Sequence, residues 1–150
     1  MLTARDIMTP NPITVQIGSK VTEAAKILLD KHFNGLPVVN PDGSLAGVLC
    51  QSDLVAQHKK FSLPSFFIIL DSLIPLKSPK KFEDDIRLMT AVQVEDIMTA
   101  KPLTISPATG LTELASLMAD GKHYTLPVVE GGKLIGVVGK EDILRAVAIG

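Results

Sequence analysis

Asp6-Ile7-Met8-Thr9-Pro10-Asn11-Pro12-Ile13-Thr14-Val15 and Asp96-Ile97-Met98-Thr99-Ala100-Lys101-Pro102-Leu103-Thr104-Ile105 are two versions of one stretch, 90 residues apart. Working outward, Arg5 to Val39 aligns with Glu95 to Val129 without a gap. After one deleted turn residue, Leu45 to Leu54 aligns with Leu134 to Ile143, and 18 of the 45 aligned pairs are identical. Self-similarity on this scale sets the architecture before any single residue does, because a small unit cannot bury its apolar face alone. Two such units predict an internal pseudo-twofold axis and a shared cleft on it. Function is expected in that cleft.

Within each copy the hydrophobic period changes along the chain. The triplets Ile13 to Val15 and Leu103 to Ile105 follow a proline and read as short strands. Val21, Ala24, Ala25, Leu28 and Leu29, like Leu111, Leu114, Ala115 and Met118, recur at helical spacing after Ser or Thr residues able to cap a helix. Gly35 to Val39 and Thr125 to Val129 are short and β-branched, and each leads through a hairpin turn to a second apolar run, Leu45 to Leu49 or Leu134 to Val138. A second helix starts at Gln51 to Asp53 and at Lys140 to Asp142, carrying Leu54 and Val55, or Ile143, Leu144 and Val147, toward a core. The unit reads β-α-β-β-α, and the fold class is α/β (α+β). Repeat one spans 1–60 and repeat two 95–150, with an insert at 61–94. The insert does not repeat, and it holds the aromatic-rich run Leu63 to Leu70 and an expected helix from Lys80 to about Ala91. A flexible linker is polar, so this segment is expected to fold against the repeats or a partner subunit.

Composition narrows the function classes. Fifteen Lys and Arg against sixteen Asp and Glu give a net charge of −1, which offers no electrostatic footprint for nucleic acid or an anionic membrane. The single cysteine, Cys50, excludes an intrachain disulfide and fits a reducing compartment, so the cytoplasm is expected. The longest apolar run, Phe66 to Leu70, is far shorter than the roughly 20 residues of a membrane span.

The motif D-I-M-T-x-x-P at the start of each copy, L-P-V-V in its middle and G-V-h-x-x-x-D before its last helix, recurring twice in order, resemble the cystathionine-β-synthase (CBS) domain. The tandem arrangement resembles the Bateman module. The resemblance covers Arg5 to Ala56 and Glu95 to Ala148. It implies two CBS repeats packed about a pseudo-twofold axis, whose clefts bind AMP, ADP, ATP or S-adenosylmethionine as a regulatory ligand, and pairs that form a homodimer. No cofactor is required in such a module.

The same resemblance assigns roles to residues. An acid at the start of the second helix, Asp53 or Asp142, accepts hydrogen bonds from ribose hydroxyls, and a charged hydrogen bond is worth roughly 1.5–3 kcal/mol net. An Asp in a first helical turn also complements the helix dipole with no ligand present. Three residues earlier the family commonly has Thr or Ser, and here stand Cys50 and Gly139. A thiol is a poor donor and glycine has no side chain, so each site lacks a contact of about 0.5–1.5 kcal/mol. Ser52 offers a hydroxyl nearby, although a helix N-cap role also suits it. Gly139 admits a ligand close to the backbone or answers a packing demand. The base is held beside the first strand and near L-P-V, by Pro12, Ile13 and Thr14 with Gly35, Leu36 and Pro37, and by Pro102, Leu103 and Thr104 with Thr125, Leu126 and Pro127. Read without the family, these residues are strand and core. Phosphates need donors, and Lys140, Lys122, His123, Lys101 and Arg145 are the available cations. Lys140 beside Asp142 makes copy two slightly the better phosphate site, although Glu141 offsets that charge, while Gln51 and Ser52 suit copy one to a less charged ligand.

Enzymatic readings find no support in the motifs. His32, His58 and His123 lack metal-ligand spacing, and there is no GxSxG, P-loop or GxGxxG after a strand. The adjacent acids Asp84-Asp85 and Glu141-Asp142 diverge on a helix rather than flank a substrate. The expectation is a regulatory module that binds an adenosine-containing ligand and alters an unknown partner protein. A ligand-free scaffold or interaction module is the alternative, favoured by Cys50 and Gly139 and opposed by the two aspartates.

Overall fold

Val21, Ala24, Ala25 and Leu28 fall on one face of a helix, and all four are buried. In the computed structural model, which describes residues 2–56, 92–121 and 123–149, that helix is the fourth element of a repeated series. Along the chain run α1 (Ala4–Ile7), β1 (Thr9–Pro10), β2 (Val15–Gln16), α2 (Val21–Lys31), β3 (Gly35–Val39), β4 (Leu45–Cys50) and α3 (Gln51–Ala56). The second series is α4 (Val94–Ile97), β5 (Thr99–Ala100), α5 (Leu111–Gly121), β6 (Thr125–Glu130), β7 (Lys133–Gly139) and α6 (Lys140–Ile149). The expected helix at Lys80 to Ala91 and the aromatic run before it lie outside the described residues.

The two sheets exchange their first strands. One sheet has the order β2-β3-β4-β5 and the other β1-β7-β6. β5, from the start of the second copy, runs antiparallel to β4 with Gly47 opposite Ala100 and Val48 opposite Thr99. β1 does the same to β7, with Thr9 opposite Val137 and Pro10 opposite Gly136. The cores are exchanged in the same way. Val94 is buried with Val15, Val21, Leu28, Leu36 and Leu54 of the first half, while Ala4 is buried with Ile105, Leu114, Leu126, Val138 and Ile143 of the second. Backbone bonds fix the entry of each segment: Ala4 N–H donates to the Thr109 carbonyl at 2.8 Å and Val94 N–H to that of Ser19 at 2.9 Å.

This exchange accounts for two of the repeated motifs together. A Cβ added at Gly47 would lie 2.6 Å from Met98 Sδ and 2.7 Å from the Thr99 carbonyl oxygen. One added at Gly136 would collide with Met8 Sδ and lie 3.0 Å from the Thr9 carbonyl oxygen. The Met of D-I-M-T in each copy therefore lies over the Gly of G-V in the other. At the axis itself the related positions Gly35 and Thr125 meet, and a Cβ on Gly35 would stand 2.8 Å from Thr125 Oγ1. One of the two must be small for the other to carry a side chain.

The hairpins pair in matching registers, each with an irregularity between the two valines, Val38/Val39 and Val128/Val129. Their turns differ by one residue. In the shorter one Gly131 and Gly132 both have positive φ, at 60° and 79°, as a two-residue turn of type I′ requires.

Several expectations need correction. The first strand of copy one is Val15–Gln16 rather than Ile13 to Val15, and its counterpart is the single bridge residue Ile105, paired parallel with Val128. The preceding segment is turned away at Asn11 and Lys101, which have positive φ of 48° and 53°. The N-cap of α2 is Lys20, with no side-chain cap bond. Ser52 is no N-cap either: it lies inside the first turn of α3, where Asp53 reaches back to the Cys50 N–H. Leu54 and Ile143 are buried as expected, whereas Leu144 and Val147 are 62% and 63% exposed. They lie on the outer face of α6, away from the sheet that Ile143 and Ala146 cover.

Candidate functional site

Two clefts open on either side of the Gly35/Thr125 contact, and each is built from both halves. The first, of about 430 Å³, places Asn11, Pro12, Ile13, Gly35 and Pro37 of copy one against Gly139, Lys140, Glu141, Asp142 and Arg145 of copy two. The second, of about 560 Å³, places Pro102, Leu103 and Thr125 of copy two against Cys50, Gln51 and Ser52 of copy one. Asn34, Tyr124 and Thr125 line both. The pairing is crossed because the end of β4 or β7, where the second helix begins, faces the opening strand of the other copy. Asp142 therefore stands opposite Pro12 and Ile13 of the other copy, whereas Asp53 lies behind the wall of the second cleft, whose lining takes in its neighbours Cys50, Gln51 and Ser52 but not Asp53 itself.

The two acids share a structural duty. Asp53 Oδ2 accepts the Cys50 N–H at 2.7 Å, and Asp142 Oδ2 accepts the Gly139 N–H at 2.7 Å. Each carboxylate thus satisfies a backbone donor at the start of its helix. One oxygen remains on each, and its surroundings differ. Asp53 Oδ1 accepts from Thr99 Oγ1 at 3.1 Å. Asp142 Oδ1 lies 3.4 Å from Arg145 Nη1, and Asp142 is buried, with 7% exposure.

Other expected residues divide. Ile13 and Leu103, at related positions, are 42% and 40% exposed and present apolar side chains to the two clefts. Such surface suits the face of a base. Leu36 and Leu126 are fully buried and Pro127 is buried; they fill the cores and line neither cleft, and Thr14 and Thr104 are likewise absent from both walls. The cations split as well. Lys140 and Arg145 line the first cleft, Lys101 and His123 the second, and Lys122 lies outside the described residues. Lys140 Nζ sits 5.2 Å from the Tyr124 ring centroid, within cation–π range.

Some contributors were not foreseen. Lys31 and His32 enter the first cleft at the end of α2, where His32 takes a left-handed conformation, φ 57°. Thr99 brings the second cleft a hydroxyl that the Cys50 position lacks. A repeated Thr in D-I-M-T was visible, but its use requires the strand exchange. Cys50 itself has a thiol pushed up to about 11, by burial first and by the nearby Asp53 carboxylate second, so it is a poor nucleophile at neutral pH.

Exchanged strands, matched β-hairpins and paired clefts define a tandem CBS architecture. A CBS domain family model matches residues 4–59 and 94–149, and the chain belongs to that family. Its relatives include the uncharacterized protein MJ1426 of Methanocaldococcus jannaschii, 30% identical over 95% of this chain and 89% of that protein. The chloroplastic CBS domain-containing protein CBSX2 of Arabidopsis thaliana is 32% identical over 96% of this chain and 63% of its own length. The crystal structure of CBSX2 in complex with AMP superposes with a TM-score of 0.73 at 30% identity, covering 99% of this chain and 98% of that one. A homoserine O-acetyltransferase of Methanococcoides burtonii matches 95% of this chain through only 23% of its length. Among the described residues no helix is long and apolar enough to cross a membrane.

Proposed function

We propose that this CBS pair is a regulatory sensor that binds an adenosine-containing ligand, AMP, ADP, ATP or S-adenosylmethionine, and alters the affinity of a partner protein. The observation that carries this reading is the first cleft. There a buried carboxylate, Asp142, keeps Oδ1 uncommitted to backbone and faces the exposed apolar Ile13 across a volume of about 430 Å³. A diol acceptor and an apolar platform at opposite walls suit a nucleoside, and the likeness to CBSX2, crystallised with AMP, supports the choice of adenine. Occupancy changes a partner only through differential affinity for two states.

The proposal has further parts. The chain is divided into repeat one at 1–60, insert at 61–94 and repeat two at 95–150. It acts as a homodimer in the cytoplasm, without chemistry of its own. The exposed pair Leu144 and Val147, one turn apart on α6, supports self-association, since apolar area at a helix face favours a partner. The scaffold reading keeps one specific observation in its favour: Cys50 and Gly139 supply no hydroxyl. A thermal-shift series separates the two. A ligand at 100 times its dissociation constant stabilises by about 2.7 kcal/mol. We expect a rise in Tm with at least one adenosyl ligand, reduced by Asp142→Ala. No shift with any of the four at millimolar concentration leaves the scaffold reading standing.

A further inference from the structure

Four basic side chains converge on the first cleft: Lys31 and His32 from the end of α2, Lys140 and Arg145 from α6. The positions related to them by the duplication hold Gly121, Lys122, Gln51 and Ala56. Three of those four bring no charge. The clefts therefore differ in where their cations come from: the second draws Lys101 and His123 from copy two, and in the first Glu141 and Asp142 offset part of the positive charge.

Arg145 is already engaged. Its Nη1 lies 3.4 Å from Oδ1 of Asp142, the oxygen that the Gly139 N–H leaves open. A guanidinium resting there competes with a ribose diol for the same acceptor. The arginine side chain is 64% exposed while the carboxylate is 8% exposed, so the cation is free to move and the acid is not.

We infer that Arg145 is a specificity-determining latch that makes the first cleft prefer phosphorylated adenosine ligands to unphosphorylated ones. A phosphate offers the guanidinium a bidentate acceptor, drawing it off Asp142 and freeing Oδ1 for the ribose. Adenosine must displace the arginine with no anionic, bidentate acceptor of its own to receive it. Lys140, above the Tyr124 ring, adds charge for the phosphate without touching Asp142. At the position related to Arg145 the sequence has Ala56, and Asp53 carries a neutral hydroxyl, Thr99 Oγ1. The second cleft discriminates weakly between nucleoside and nucleotide.

This inference rests on the sensor reading, and the experiment separates their failures. Isothermal titration of the full chain with AMP and with adenosine is carried out with Asp53 intact and with Asp53→Ala, each alone and combined with Arg145→Gln or Lys140→Gln. The first cleft is expected to bind AMP about tenfold or more tighter than adenosine, a ratio equivalent to roughly 1.4 kcal/mol per decade. Arg145→Gln should weaken AMP and strengthen adenosine, bringing the ratio toward one, whereas Lys140→Gln should weaken AMP and leave adenosine unchanged. An AMP-to-adenosine ratio near one in the first cleft, or a loss of AMP affinity on Arg145→Gln with no gain for adenosine, overturns the latch alone. Binding of neither ligand by any form overturns the sensor reading and the latch with it.

Discussion

Met8 lies over Gly136 and Met98 over Gly47, Ala4 enters one core and Val94 the other, and both hairpins slip at the same pair of valines. At the clefts the correspondence stops, with Cys50 against Gly139, Gln51 against Lys140, Ser52 against Glu141 and Ala56 against Arg145. Both sets lie on the same strands and helices, in places within a few residues of each other. What separates them is the penalty for change. A Cβ at Gly47 strikes backbone, whereas Lys140 and Arg145 line a cleft and meet only side chains there, the Tyr124 ring and the Asp142 carboxylate. The internal comparison thus divides the molecule into a frame set by packing and two clefts whose side chains are free to specialise.

The frame is nevertheless not perfectly symmetric, and the largest expected effect measures the difference. At Gly47 the added methyl meets both a flexible Met98 and the Thr99 carbonyl at 2.7 Å; at Gly136 the carbonyl of Thr9 is 3.0 Å away and mainly Met8 must yield. Overpacking costs typically about 1–3 kcal/mol, and methionine adapts better than backbone. Gly47→Ala should fall at the upper end of that range and Gly136→Ala at the lower, as read by urea unfolding. Equal losses would mean that the exchanged strands β1 and β5 are held with the same stiffness, and the ranking from backbone distance would fail.

The legible part of this fold was its repetition and periodicity. Helices α2 and α5, strands β3, β4, β6 and β7 and the position of the second helix in each copy all follow from apolar spacing and turn residues. The strand exchange was not legible. β1 and β5 are two residues long, too short for a periodic signal, and their partners lie more than thirty residues away in sequence. For the same reason the sequence does not say which acid faces which opening strand, and only the structure brings Asp142 to Pro12. Leu144 and Val147 show the limit of pattern from the other side: apolar residues at helical spacing identify a face, but they do not say which face meets the core. The helix-start duty of Asp53 and Asp142 was legible in part, since an acid in a first helical turn suggests it, whereas the partners of their second oxygens, Thr99 and Arg145, were not.

A second, smaller effect tests whether the clefts lost an equivalent contact. Restoring a hydroxyl three residues before each acid calls for Cys50→Thr and Gly139→Ser. A Cβ at Gly139 would meet only Asp142 Oδ2 at 3.7 Å and the Tyr124 carbonyl at 4.0 Å, ordinary contact distances, so serine fits without displacing backbone. A neutral hydrogen bond contributes about 0.5–1.5 kcal/mol, which is up to about tenfold in affinity. The gain should be larger for Gly139→Ser, because the second cleft already receives a hydroxyl from Thr99. Calorimetric titration with AMP reads the difference, and a greater gain from Cys50→Thr would reverse this assignment of the two sites.

The effect that vanishes at neutral pH is a dependence on the thiol at position 50, which the other copy lacks. The Cys50 thiol is raised from an ordinary value of 9.0 to about 11, chiefly by burial and then by Asp53, and the related position, Gly139, carries nothing ionisable. Between those two values the folded chain holds a proton that the unfolded chain has released. Stability therefore declines as pH rises through that interval and is unaffected by this group below it. Cys50→Ala should remove that part of the alkaline loss, so the wild-type and variant unfolding curves should keep a constant offset at pH 7–8 and change it between about pH 9 and 11. The difference between the two chains, rather than either curve, is the quantity to measure. Curves that stay parallel up to pH 11 would mean that water reaches the thiol as freely in the folded chain as in the unfolded one, and that the wall of the second cleft at the end of β4 is more open than its counterpart around Asp142.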